Sequence, residues 1–219
     1  KPVLEGVSFT AKPGETTAII GSTGAGKSTL LQLIPRFYDV ESGSILIDGV
    51  NIQSMTQSAL REKIGYVPQK ATLFSGTIAE NMRYGKEDAT EADIYGALET
   101  AQAIEFVQSR ERGIESNLEQ AGANLSGGQK QRLSIARALV RKPKIYLFDD
   151  SFSALDYKTD SMLRHALKTE TSYATIIIVA QRVNTVKDAN KIIVLNEGEI
   201  AGVGTHQELL HENAIYQEI

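Results

Sequence analysis

Cysteine is absent from the 219 residues, which excludes disulfides, thiolate metal sites and cysteine chemistry and suits a reducing compartment. No block of Lys and Arg stands anywhere in the chain, and 23 basic against 27 acidic residues leave a net charge of -4. Phosphate-backbone binding needs clustered positive charge, so no direct nucleic-acid partner is expected. Long hydrophobic runs are lacking too. Stretches such as Ala174 to Ala180 are strand-sized, far short of the roughly 20 apolar residues that a membrane helix needs. Any membrane role is therefore expected through a partner or through residues outside this sequence. No signal peptide reads at Lys1-Pro2-Val3, and there is no internal repeat or low-complexity linker. With 42% hydrophobic residues, the length suits one well-cored α/β domain with room for an inserted subdomain.

The most informative stretch is Gly21-Ser22-Thr23-Gly24-Ala25-Gly26-Lys27-Ser28, which fits G-x-x-x-x-G-K-[ST], the P-loop pattern. Ala18-Ile19-Ile20 reads as a buried strand entering it, and Ser28 to Ile34, with Thr29 in the first turn, reads as a helix leaving it and ending near Pro35. The glycines let successive N–H groups turn inward around a phosphate, the helix N-terminus adds partial positive charge, and Lys27 adds a full one. Ser28 offers its hydroxyl to Mg²⁺. A Gly-rich turn that matches by chance is the plain alternative, and the flanking strand and helix count against it.

Along the chain, Val3 to Thr10 alternates as an edge strand, with a turn at Pro13-Gly14. Strands are expected at Ser44 to Ile47, closed by Asp48-Gly49, and at Ile64 to Val67, ending at Pro68-Gln69. From Thr77 to about Arg110 the pattern turns helical, with Ile94, Ala97, Leu98, Ala101 and Ile104 at helix spacing. Ser126 to Val140 forms another helix. Ile145 to Phe148 is a continuous apolar strand ending in Asp149-Asp150, which implies burial on both faces of a parallel sheet. Ala174 to Val179 and Lys191 to Leu195 repeat that pattern, and Glu197-Gly198 turns the latter into Glu199 to Val203. Thr205-His206-Gln207-Glu208 is a capping box opening a helix to Ile219. A carboxylate at the end of a buried strand, Asp149, suits the Walker B role of holding Mg²⁺, against the alternative of a strand cap.

Leu125-Ser126-Gly127-Gly128-Gln129 before a helix, with Gln69, the P-loop and Ser153-Ala154-Leu155-Asp156, resembles the nucleotide-binding domain of ABC transporters over almost the whole chain. Phe74 to Asn81 and Arg36-Phe37-Tyr38-Asp39 resemble the exporter branch. The resemblance implies an α/β fold: a P-loop NTPase core with a mostly parallel sheet, an antiparallel β edge and an inserted helical subdomain. It divides residues 1-219 into a core at 1-76 and 141-219 and a helical part at about 77-140. ATP and Mg²⁺ are the implied cofactors, with Ser22, Thr23, Gly24, Ala25, Gly26, Lys27, Ser28 and Thr29 at the phosphates. Ser28, Asp149 and Gln69 are implied at the metal.

In that family two such domains close head to tail on two ATP molecules, so Ser126, Gly127, Gly128 and Gln129 are implied as a γ-phosphate clamp on the partner's nucleotide. Asp156 is placed across that interface. The implied partners are a second nucleotide-binding domain and transmembrane exporter domains, at the cytoplasmic face of a membrane, with Phe74 to Asn81 facing the latter. The adenine-stacking aromatic of the family would precede Lys1.

Three positions depart from the family pattern. Asp150 stands where a Glu polarises the attacking water, Gln181 stands where a His is usual, and Gln120 replaces a Glu before the signature. Gln181 can hydrogen-bond a γ-phosphate but cannot carry a proton or positive charge. None of His165, His206 and His211 ends an apolar strand. Two readings follow. Either this is the fully active ATPase engine of a homodimeric exporter, or its own site, with Asp150, Gln181 and Gln69 as its catalytic groups, hydrolyses weakly while its signature completes a site on a different chain. Asp150 with Gln181 favours the second. A non-transport ABC ATPase is disfavoured by the charge and the exporter-like segments.

Overall fold

The computed structural model describes residues 3–219; Lys1 and Pro2, where the signal-peptide reading begins, lie outside the described residues. Two compact units are present. The first comprises the chain up to Gly65, Lys144–Asp150 and Ala174–Ile219, and the second Tyr66–Pro143 and Ser151–Tyr173.

In the first unit, the β-branched and apolar run Thr16–Ile20 forms β1 and feeds the loop that opens α1 (Lys27–Leu33). A hairpin of β2 (Leu46–Ile47) and β3 (Val50–Asn51) follows. Its turn residues Asp48 and Gly49 have φ of 51° and 79°, as a two-residue turn matched to strand twist requires. Thr56 caps α2 (Gln57–Glu62), and β4 (Ile64–Val67) then carries the chain into the second unit.

That unit holds β5 (Gly76–Thr77), α3 (Ile78–Arg83), α4 (Glu91–Thr100), α5 (Ile104–Gln108), β6 (Asn117–Leu118) and α6 (Gly127–Leu139). The chain returns to the first unit as β7 (Ile145–Asp149) and leaves again for α7 (Tyr157–Glu170). It ends in the first unit with β8 (Thr175–Val179), α8 (Val183–Val186), β9 (Lys191–Asn196), β10 (Glu199–Gly204), α9 (His206–Glu212) and α10 (Ala214–Glu218). The helical stretch expected over 77-140 lies within the second unit. That unit also takes in α7, whose buried Leu163 and Leu167 belong to an apolar stripe and which packs on α4. Among the described residues no helix is long and apolar enough to cross a membrane.

The main sheet runs β10-β9-β1-β8-β7-β4. β9, β1, β8 and β7 are mutually parallel, and β10 lies antiparallel on β9, giving the α/β fold with a mostly parallel sheet and an antiparallel edge. Every residue of β7 is buried, which accounts for its unbroken apolar sequence. Register places Ile19 opposite Val179 and Val179 opposite Asp149. Three parallel strands therefore end in one row, where ligands bind in open α/β sheets.

Two expectations are corrected. Val3 to Thr10 is not a strand: Glu5 N–H donates to the Gly198 carbonyl at 2.9 Å, but Gly6 at φ 62° turns the backbone away before a ladder forms. The tail is two helices rather than one. Asn213 leaves the helical region (φ −122°, ψ 106°) because its side chain is committed twice, accepting from Tyr216 N–H at 2.8 Å and donating to the Ala201 carbonyl at 2.9 Å.

Candidate nucleotide site

Between β1 and α1, Gly24 and Gly26 adopt φ of 85° and 98°, a region that disfavours residues with a Cβ. Gly21 is required for a different reason, since a side chain there would run into the Leu195 carbonyl of β9. Ser22, Thr23 and Gly24 are exposed at the tip of the loop while Ala25 is buried beneath it. Gly26 caps α1, so Lys27 is its first residue and Ser28 and Thr29 follow on its first turn. The Lys27 ammonium folds back and donates to the carbonyls of Gly21 and Ser22, each at 2.7 Å. Burial pulls its pKa below the ordinary lysine value, and the carboxylates of Asp150 and Asp149 oppose that shift.

Ser28 Oγ donates to Asp149 Oδ1 at 2.7 Å, joining residues 121 apart in sequence. One hydroxyl and one carboxylate, both hard oxygen donors, are the protein share that Mg²⁺ takes when substrate phosphates complete its shell, so the residues present fit that ion. The next residue, Asp150, has φ 46°, a left-handed conformation that Asp tolerates better than most residues. Its N–H donates to the Val179 carbonyl at 2.9 Å, which turns its side chain off the end of β7. Gln181, two residues beyond β8, donates Nε2–H to Asp150 Oδ2 at 3.0 Å. The first unit thus gathers Lys27, Ser28, Asp149, Asp150 and Gln181.

In the second unit, Ser126 caps α6 in a full capping box: its Oγ accepts from Gln129 N–H at 3.2 Å and Gln129 Oε1 accepts from Ser126 N–H at 3.0 Å. The Gln129 side chain is therefore engaged in building the helix start. Ser126 and Gly127 are exposed, and a Cβ on Gly127 would meet open space. Gly128 is tighter, since a Cβ there would come within 3.3 Å of the Ala154 carbonyl. Asp156 caps α7, accepting from Thr159 N–H at 3.0 Å and Thr159 Oγ1 at 2.6 Å, and these bonds hold its carboxyl below the usual range.

Gln69 stands in the irregular stretch between β4 and β5. Two side chains that the sequence did not single out, and Asn81 at the end of the exporter-like segment, grip the carbonyls of that stretch. Gln131 Nε2 donates to Pro68 at 3.2 Å, Arg137 Nη2 to Thr72 at 2.8 Å and Asn81 Nδ2 to Phe74 at 2.9 Å. One signal was available for Gln131: it is 2% exposed and shares helix spacing with buried Ser134, Ile135 and Ala138, so a long polar side chain lies on the buried face of α6. No comparable signal marks Arg137.

A phosphate-loop geometry on a parallel sheet, with a serine–carboxylate pair at its mouth, defines a P-loop nucleotide-binding domain. The protein-family model described as ABC transporter matches residues 4–153, and the chain belongs to that family as an ATP-binding, ATPase domain. YfiB of Bacillus subtilis (strain 168), an uncharacterized ABC transporter ATP-binding protein, is 50% identical over 219 residues, covering 100% of this chain and 38% of that protein. The mitochondrial iron–sulfur clusters transporter ATM1 of Debaryomyces hansenii is 46% identical over 222 residues, covering 100% of this chain and 32% of that protein. The solved structure of a bacterial Atm1-family ABC exporter with ATP bound superposes with a TM-score of 0.95 at 40% identity, covering 99% of this chain and 38% of that one. The chain spans about a third to two fifths of the length of these relatives.

Proposed function

We propose that this domain binds Mg-ATP at Gly21–Ser28, works at the cytoplasmic face of a membrane beneath transmembrane exporter domains, and hydrolyses ATP slowly at its own site. Its signature, Ser126 to Gln129, completes the site of a second, different nucleotide-binding domain. The hydrogen bond between Gln181 and Asp150 carries the proposal.

Lys27 leaves the Gly21 and Ser22 carbonyls and pairs with the β- and γ-phosphates, to which the N–H groups of Ser22 to Thr29 donate. Ser28, Asp149 and Gln69 would hold Mg²⁺, which when bound neutralises charge developing on those phosphates. Asp150 accepts the proton side of the attacking water. Its side chain is one methylene shorter than Glu, leaving the carboxylate about 1 Å back, and a misplacement of that size costs on the order of 10²-fold in rate. Gln181 directs its amide to the carboxylate and brings no positive charge to the γ-phosphate. The site therefore binds and closes more readily than it turns over.

The test is ATP binding and turnover by the protein that carries this domain, alone and with candidate partner chains. Tight Mg-ATP binding with slow turnover alone, and faster turnover once a partner is added, is expected. Turnover at or above about 1 s⁻¹ by a homodimer would show a fully working site of its own.

A further inference from the structure

The segment Val3-Leu4-Glu5 lies against the phosphate loop within the first unit. Glu5 N–H donates to the Gly198 carbonyl at 2.9 Å, and the Val3 carbonyl passes so close to Gly198 that a side chain there would run into it. Gly198 belongs to the turn between β9 and β10, and β9 meets the other end of the loop, where its Leu195 carbonyl lies against Gly21. One hairpin thus braces the loop twice, directly at Gly21 and through Val3-Leu4-Glu5 at Gly26. A Cβ on Gly26 would stand 2.7 Å from Leu4 Cδ2 and 3.2 Å from the Val3 carbonyl oxygen. Leu4 is half-buried while Val3 is exposed, so it is the Leu4 side chain that covers the bare face of Gly26. That residue is the N-cap of α1, at φ 98°, and no side-chain hydrogen bond holds it. Glycine has more backbone freedom to lose than any other residue, so packing on Gly26 bears directly on the shape of the loop. The other brace is Lys27, bonded to the Gly21 and Ser22 carbonyls. In the proposed nucleotide complex Lys27 gives those bonds up to the phosphates, whereas the apolar contact of Leu4 needs no such exchange.

We propose that Leu4 is a positioning residue for the phosphate loop, seated on Gly26 so that the loop keeps its phosphate-binding shape before the nucleotide arrives. This rests on the Mg-ATP binding at Gly21–Ser28 proposed above. A loop ordered in advance binds more tightly because the ordering cost does not fall on the binding step. Fixing the backbone of one residue corresponds to about tenfold in affinity, so Leu4→Ala, which uncovers Gly26, should weaken ATP binding by about that factor. Leu4 acts on the loop and not on the base or the ribose. The loss should therefore be equal for any ligand that shares the phosphates.

The experiment uses the full-length protein in excess Mg²⁺ and measures displacement of a fluorescent ATP analogue by ATP and by inorganic tripolyphosphate. It is paired with thermal unfolding and with hydrogen exchange of the amides of Gly24 to Ser28, both without nucleotide. Leu4→Ala is the main variant, Leu4→Val the second should the first fail to fold, Leu4→Met the conservative one, and Lys27→Ala the control for the phosphate site. Expected for Leu4→Ala are about tenfold weaker binding of both competitors and faster exchange at the loop, with Leu4→Met close to the parent in both. If Leu4→Ala lowers the unfolding temperature but leaves affinity and loop exchange as they were, Leu4 is structural and the inference is overturned. A loss confined to ATP, with tripolyphosphate unaffected, overturns it too, since Leu4 would then touch the nucleoside. If Lys27→Ala leaves ATP affinity unchanged, the phosphate reading itself falls and the inference falls with it; if Lys27→Ala weakens binding and Leu4→Ala does not, the inference alone falls.

Discussion

Gln181 Nε2 lies 3.0 Å from Asp150 Oδ2, so two of the three positions that depart from the family pattern are hydrogen-bonded to each other. Their effects are therefore expected to be coupled. A His placed beside Asp150 would offer its ring N–H where the amide now sits, and a Glu would extend the carboxylate. Introducing Asp150→Glu and Gln181→His together should raise turnover by more than the product of the single changes, as for residues that act as a unit. Glu tolerates the φ of 46° at position 150 less well than Asp, so the gain should come with a fall of about 2–4 °C in Tm per kcal/mol lost. Steady-state ATPase rates and thermal melts on the four variants check both.

Lys27→Ala removes the charged donor that holds two loop carbonyls and that, in the proposed nucleotide complex, pairs with two phosphates. Hydrogen bonds from a charged group are worth about 1.5–3 kcal/mol, so ATP affinity should fall on the order of 10–100-fold by calorimetry. Unchanged affinity would place the phosphate site elsewhere.

Ser126→Arg breaks the capping box of α6 and puts bulk and a misdirected charge at the signature. By analogy with oxyanion donors worth about 2.7–4 kcal/mol, ATPase activity of the assembled transporter should fall by about 10²–10³-fold. Asp150→Asn touches only the site proposed to hydrolyse weakly and should reduce it modestly. The opposite ranking in a side-by-side assay would make this chain's own site the working one.

Asp93 completes the capping box of α4 and is held at about 2, first by the Lys86 ammonium at 2.9 Å and then by the Thr90 N–H. Its carboxyl protonates less readily folded than unfolded. Its contribution is full above the unfolded value of 3.8 and is lost as pH falls through about 2. Urea midpoints should drop across that window, and Asp93→Asn should remove part of the slope. A variant with the same slope as the parent would show that the Lys86 pair does not couple to folding.

Much of the fold was readable because its signals are local. The P-loop shows in glycines that take positive φ, β7 in an unbroken apolar run buried on both faces, and the start of α9 in a capping box that joins residues three apart. Asp48-Gly49 and Glu197-Gly198 mark their turns for the same reason. A local pattern cannot tell which strand lies beside which. The order β9-β1-β8-β7 brings Asp149 to Ser28, and Gln181 to Asp150, through parallel neighbours far apart in the chain. The run Val3 to Thr10 alternates like a strand, yet Gly6 turns it away after one hydrogen bond to Gly198, and Asn213 breaks the last helix where its side chain donates to the Ala201 carbonyl. Residue types and caps were decided by neighbours along the sequence. Which carbonyls Gln131 and Arg137 would satisfy was decided only when an irregular segment without a ladder was laid against α6, since a hydrogen bond across tens of residues leaves no periodicity to read.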